Sequence, residues 1–464
     1  MRVRAGLMRA GALGPLLAGV LLLAAGCSLL PSSVARPAAP EPTSEPAVPQ
    51  RVVFVGPGWD VGTVQRDGSG PRTIVAPSEP GEEPGDPSAP NEPLDGVPVA
   101  FVEGRAGVGA VRAALAYTWP TWSPDGRRVA LSRIPGPDAG QIAALVVLDA
   151  DGSNERFIHT TSDGLVNFVA DGVPHYAYWS PDGRRLSFVA PTADATRLGL
   201  FETAMASADP YLVAEDAPLY HAWSPDSSAI LVHRGAQLSV YSVGRRSPTE
   251  VIGRDSASYR MPAYSASGTW IAYVAEAGGG EQLIASPLED GAERELWALD
   301  GGVAFAWSPR EDVLAATQQP GPSSPDRGGI VLIDAASAER RRIFDGSVVA
   351  FFWSPDGSRI AVVSPGPDGD ALRWIVVDVD TGAATEPMPF APAPEYRIFL
   401  QFFDQFAPSH LVWSADSRYL VFAGAVFPEN ETRPEAWVVD VTGVEEPRAL
   451  AAARLAFWVP PLAP

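Results

Sequence analysis

Three histidines, two aspartate-rich turns and one aromatic stretch are where chemistry could arise in this 464-residue chain. His175, His221 and His410 stand four, two and three residues before an aromatic residue of a recurring motif. Converging imidazoles could hold a metal ion or an anion, and the three are candidate rim residues of any channel that the repeated elements enclose. Their offsets differ, so strand alternation does not point all three the same way, and hydrogen-bonded strand histidines are the plainer reading. Asp149-Ala150-Asp151-Gly152-Ser153-Asn154 and Asp378-Val379-Asp380-Thr381-Gly382 invite a calcium reading. Both lack a full set of oxygen ligands and the glutamate that ends an EF-hand loop, whereas Asp and Gly are ordinary turn residues. The sequence has no Gly-x-Ser-x-Gly elbow, phosphate loop, His-Glu-x-x-His helix or cysteine pair. We therefore expect a non-catalytic chain with no metal and no cofactor.

The aromatic stretch runs from Tyr396 to Phe406, with Phe399, Phe402, Phe403 and Asp404 between. Exposed, these six residues would form a rigid anchor for a partner. Buried, they would be extra core over a channel or between two sheets.

The elements that must position these residues announce themselves by repetition. Trp122-Ser123-Pro124-Asp125-Gly126 recurs in full at Trp179 and Trp353, and in altered form at Trp223, Tyr264, Trp307 and Trp413. The steps between the aromatic residues are 57, 44, 41, 43, 46 and 60 residues. Pro pre-sets φ, Asp suits the next turn position, and Gly takes the left-handed conformation that closes a hairpin. The Trp can fill the wedge between neighbouring blades. A strand follows each turn, as at Val129-Ala130-Leu131 and Ile360-Ala361-Val362-Val363. A third strand ends in a polar turn, as at Trp374-Ile375-Val376-Val377-Asp378, and a short fourth follows. Four short strands per repeat of about 40–45 residues specify an all-β fold, a β-propeller.

The ends complete the pattern. Val52-Val53-Phe54-Val55 reads as a second strand without a first, and Leu455-Ala456-Phe457-Trp458 as a first strand with nothing after it. Trp458 falls 45 residues after Trp413, in step with the repeat. The simplest closure puts the C-terminal strand into the N-terminal blade, which removes sheet edges and gives eight blades. Seven is the alternative. Three segments exceed the repeat: the acidic, Pro-rich residues 76–97, residues 159–174, and the aromatic insertion, residues 386–410.

The chain carries a formal charge of −21 and a single cysteine. That charge makes it a poor general ligand for nucleic acid, and one cysteine leaves no internal disulfide framework. Arg2, Arg4 and Arg9 precede an apolar run at residues 16–23, too short for an ordinary membrane span. The run ends Leu23-Ala24-Ala25-Gly26-Cys27, which resembles a bacterial lipobox, with Ala24 where Leu is commonest. The resemblance implies a signal peptide over residues 1–26 and lipid attachment at Cys27. Residues 27–50 have the Pro/Ala-rich composition of a tether, and residues 51–464 form a single propeller domain.

The Trp-Ser-Pro-Asp-Gly-x-x-Ile/Leu-x-Phe pattern resembles the WD40-like repeat of TolB-type periplasmic proteins. It is also similar to the propeller that precedes the hydrolase domain in the dipeptidyl peptidase IV family. The resemblance implies a propeller that binds proteins or peptides. Together with the N-terminus it implies a lipid-anchored, extracytoplasmic (periplasmic or extracellular) binding or scaffold module with a protein partner in the cell envelope and a membrane anchor. The alternative is an enzyme, or enzyme accessory, acting on a peptide or glycan at the channel mouth.

Overall fold

The computed structural model describes residues 50–77, 115–135, 143–161, 174–192, 197–207, 209–216, 219–245, 247–255, 261–289, 291–319, 327–366, 371–426 and 433–462. The signal and tether segments with Cys27, most of the acidic loop 76–97 and most of residues 159–174 lie outside them.

Local turn chemistry builds the strand pairs. In the first full motif Ser123 Oγ bonds Asp125 Oδ1 (2.6 Å) and accepts the Arg128 N–H at 3.0 Å. Asp125 in turn accepts the Arg127 N–H (3.1 Å). The same contacts recur at Ser180, Ser224, Ser354 and Ser414. Gly126, Gly183, Gly268 and Gly357 take φ from 66° to 73°, the left-handed region where only Gly is unstrained. Ser227 and Ser417 occupy that region in altered copies, at 63° and 59°. Their hydroxyls accept the backbone N–H of Asp182 and Asp356, both at 3.0 Å, so each altered turn is tied to the motif turn before it.

The strands assemble into a β-propeller. Six sheets have four antiparallel strands, the first built from four consecutive strands being Leu115–Trp122, Arg128–Pro135, Ala144–Asp149 and Arg156–Thr160. The motif Trp clasps neighbours together. Trp179, Trp223, Trp307, Trp353 and Trp413 donate Nε1–H to the carbonyls of Thr121, Tyr178, Ala263, Ala306 and Phe352, at 2.9–3.2 Å. Each acceptor immediately precedes the aromatic residue of the motif before.

The strand Leu455–Trp458 pairs antiparallel with Arg51–Val55, in the register Val52↔Trp458 to Val55↔Leu455, so the C-terminus completes the N-terminal sheet. Arg66 reinforces that seam from the side. It reaches Glu445 at 2.7 Å and lies over the Tyr419 ring, 4.2 Å from its centroid.

The last two repeats depart from the pattern. They share one seven-stranded sheet, because Ala384–Pro392 runs on past its own sheet and pairs with Tyr419–Ala425 at Ala391↔Ala425 and Pro392↔Gly424. The expected first strand at Trp413 is reduced to isolated bridges, Trp413↔Leu420 and Leu411↔Trp458. The chain between forms helices α1 (Pro394–Gln401) and α2 (Phe403–Phe406). The insertion 386–410 is therefore strand to Pro392 and helical beyond it. Pro394 opens α1 at a position where a missing N–H costs nothing, and Phe402, with φ −115°, breaks the two helices apart.

Candidate functional site

The two helices sit in the centre of the ring of sheets. They pack on the inner strands Val303–Trp307, Ala350–Trp353 and Leu455–Trp458 and on Tyr419–Ala425, and they reach Leu115–Trp122 and His175–Trp179 through ring contacts and a hydrogen bond. Tyr396, Phe399 and Phe403 are at most 1% exposed and Phe406 is 6% exposed. The partner-surface expectation is thus corrected for these four side chains: they are core. Phe402 and Asp404 are half-buried. The physical reason lies in their spacing. Residues 396 and 399 share one face of α1, residues 403 and 406 share one face of α2, and Phe399 and Phe403 meet the rings of Phe351, Phe352 and Phe457. Burying four aromatic side chains contributes about 6–12 kcal/mol. The opposite stripe of α1, Pro394, Arg397 and Gln401, is exposed.

The insertion is pinned at three polar points. Glu395 bonds Arg454 Nη1 at 2.7 Å; that guanidinium lies over the Trp59 ring and donates to the Pro57 carbonyl. Tyr396 Oη donates to the Val421 carbonyl at 3.4 Å. Tyr178 Oη donates to the Gln405 carbonyl.

Phe406 is gripped by two residues that sequence reading passed over. Trp119 stacks on it at 4.5 Å and 7°, and Tyr176 meets it at 5.1 Å. Both lie three residues before a motif Trp, at a register shift of the inner strand, with φ of 52° and 47°. Positive φ in a bulky residue is strained, and such strain persists only where surrounding packing fixes it. The register is the missed signal. Three before each motif aromatic stand Trp119, Tyr176, Tyr220, Met261, Ala304, Ala350 and His410. Alanine occupies that register on both inner strands against which α2 packs most closely, Val303–Trp307 and Ala350–Trp353.

The centre has two chemically different halves. The apolar half is built from phenylalanines. The other half, polar only through its phenol hydroxyls, gathers Tyr176, Tyr178, Tyr220 and Tyr264 with apolar Met261 and Ala222 from the second to fourth inner strands and the segment before the last. Asp404 faces it electrostatically: burial first, then neighbouring phenols and Asp404, raise Tyr176 and Tyr178 well above the usual phenol range. His221 lies here, with Nε2 2.8 Å from Ser187 Oγ and its ring 4.6 Å from Tyr178. Trp223 Nε1 also donates to Ser187 Oγ, at 2.8 Å. Burial, aided by His175, pushes His221 down to about 3, so it is neutral.

The three candidate rim histidines are therefore not an open rim group. His175, His221 and His410 are 8%, 1% and 3% exposed. His175 and His221 sit on adjacent inner strands, whereas His410 lies at the foot of the insertion among Trp119, Phe399, Phe406 and Phe457. Among the described residues no group of three His, Cys, Asp or Glu is placed to hold a metal ion. Three of the four aspartates in the two polar turns accept local bonds: Asp149 from Asn154, Asp151 from Ser153 and Asp378 from Thr381.

No family model and no curated protein matches the sequence. Solved structures do match in fold. The dihydro-heme d1 dehydrogenase NirN has a TM-score of 0.51 at 16% identity, over 89% of this chain and 75% of that one. A prolyl endopeptidase has a TM-score of 0.49 at 13% identity, over 74% of this chain and half of that one. TolB from Acinetobacter baumannii has a TM-score of 0.36 at 13% identity, over 59% and 80%. The matches include enzymes as well as TolB, and at these identities the likeness is one of fold.

Proposed function

We propose that this protein is a lipid-anchored, extracytoplasmic β-propeller of eight blades that recognises a protein partner of the cell envelope and does not catalyse a reaction. One observation carries the reading. The insertion fills the ring centre, where a channel active site would need its space, and leaves blade-connecting turns and the exposed stripe Pro394, Arg397 and Gln401 as the recognition surface. Cys27 holds the anchor, and residues 27–50 act as a tether. The test has two parts. Cys27→Ala should move the protein from the membrane to the soluble fraction; unchanged fractionation counts against the anchor. Crosslinking in the native envelope should capture a defined partner that Arg397→Glu releases. A partner set identical for both proteins, or none above background, would sink the proposed surface.

The polar half of the centre supports a second reading, an enzyme acting on a peptide or glycan beside Tyr176 and Tyr220. Turnover of an envelope peptide or glycan that Tyr220→Phe abolishes would replace the binding proposal.

A further inference from the structure

The foot of the insertion holds an ionisable group in a place unsuited to charge. His410 is packed between α2 and the closing strand, with its ring 4.6 Å from Phe457, 5.4 Å from Phe406, 6.0 Å from Trp119 and 6.2 Å from Phe399. Its Nδ1 lies 2.8 Å from Ser409 Oγ. Its Nε2 is buried and has no hydrogen-bond partner among the described residues. A proton added there would put a charge, and a donor without an acceptor, into an aromatic enclosure.

No opposite charge compensates. The four facing rings are uncharged. The other titratable groups on the elements packed against His410 have interactions of their own. Tyr117 on Leu115–Trp122 bonds Glu155 at 3.2 Å, Glu395 on α1 bonds Arg454, and Tyr396 bonds the Val421 carbonyl. Arg397 is exposed on the outer face of α1, and Asp404 on α2 interacts electrostatically with Tyr176 and Tyr178. The strand Leu455–Trp458 carries no titratable residue.

We propose that residues 402–410 form a proton-coupled gate in the ring centre, which opens when His410 is protonated while α1 stays docked. The division between gate and anchor follows from the contacts. α1 is held by Glu395–Arg454, by Tyr396–Val421 and by the burial of Tyr396, Phe399 and Leu400. One proton does not outweigh that. α2 is one turn long, is held by the burial of Phe403 and Phe406 and by the Tyr178–Gln405 bond, and places Phe406 directly against His410. Opening would uncover Trp119 and Tyr176, the two strained aromatics that Phe406 covers, and would join the polar half of the centre to solvent.

The direction with pH is fixed by the buried state. Burial pushes His410 down to about 3 in the closed form, against about 6.5 for a solvated histidine. The closed form is thus favoured above pH 6.5 and loses that advantage progressively as the pH falls toward 3. At pH 5.0 the opening equilibrium should exceed its value at pH 7.5 by about 30-fold.

Amide hydrogen exchange of the full chain tests this, with rates corrected for the intrinsic effect of pH. Peptides within residues 402–410 should show the 30-fold rise, while peptides from Pro394–Gln401 and Arg359–Pro365 rise less than about three-fold. His410→Phe, which suits the aromatic enclosure, should abolish the response; if it does not fold, His410→Gln serves the same purpose. A rise below about three-fold in residues 402–410, an equal rise throughout the chain, or the full response retained in the variant would overturn the gate. So would a titration midpoint near 6.5 for His410, read from exchange of its ring C2 proton.

Discussion

At the scale of single residues, the motif Trp has two separable roles, packing and clasping. Trp413 is 3% exposed and donates to Phe352, whereas Trp122 is 7% exposed and its indole nitrogen finds no partner among the described residues. We expect Trp413→Phe to cost about 1–2 kcal/mol more than Trp122→Phe, because only the first leaves a buried carbonyl without its donor. Urea midpoints of the two variants, compared at equal m-value, decide this. Phe406→Ala should destabilise the protein by about 3–5 kcal/mol through the cavity left between Trp119 and Tyr176; a loss below about 1 kcal/mol in thermal or urea unfolding would mean that its contacts do not hold the insertion. Histidine burial sets a pH dependence of global stability. His221 and His410 are both pushed down to about 3 in the folded chain. Their contribution is complete above pH 6.5 and declines below it, so each should remove about 2 kcal/mol on going to pH 5. His221→Gln should flatten the slope of unfolding free energy against pH over that window. The turn chemistry of Ser123 and Asp125 was legible in the sequence, because its hydrogen bonds lie within five residues. The clasp was legible only as a wedge, since its acceptor is the backbone of another repeat.

At the scale of elements, the insertion is where sequence reading fell short. Its aromatics left an exposed anchor and extra core both open, although Tyr396, Phe399, Phe403 and Phe406 recur at intervals of three, four and three residues, a helical spacing. That pattern was present and marks burial against a curved wall of strands. What no local pattern discloses is the wall itself, which draws on segments as distant as Trp119 and Phe457. The same holds for Glu395 and Arg454, 59 residues apart. Glu395→Ala would leave the Arg454 guanidinium over Trp59 with the Pro57 carbonyl as its hydrogen-bond acceptor. We expect a loss of about 2–4 kcal/mol, with little effect from exchanging exposed Gln401 for Ala. Equal stability of both variants in chemical unfolding would remove the pair from the account of how α1 is held. Trp119 and Tyr176 fall outside the repeated motif, at a position three residues before its Trp that changes from repeat to repeat.

At the scale of the whole molecule, closure of the ring depends on its last residues. Leu455–Trp458 supplies the inner strand of the N-terminal sheet, and Phe457 on it touches Phe399 and His410 in the centre. A chain ending at Ala453 should therefore lose both the seam and one wall of the insertion. We expect it to elute as an associated or expanded species by light scattering, with its cooperative thermal transition lost; a monomer with wild-type melting would show that the seam is dispensable. The pairing of Val52 with Trp458 also sets an order in time. The N-terminal strands are synthesised first, yet they have no complete sheet to join until some 400 residues later in the chain. Loop closure over that span makes the final docking a slow, high-contact-order step, and the open edges of Arg51–Val55 stay available to other chains until it happens. The first strand made is among the last to be protected, so the yield of folded protein should depend more on chain concentration during refolding than on the stability of any single blade.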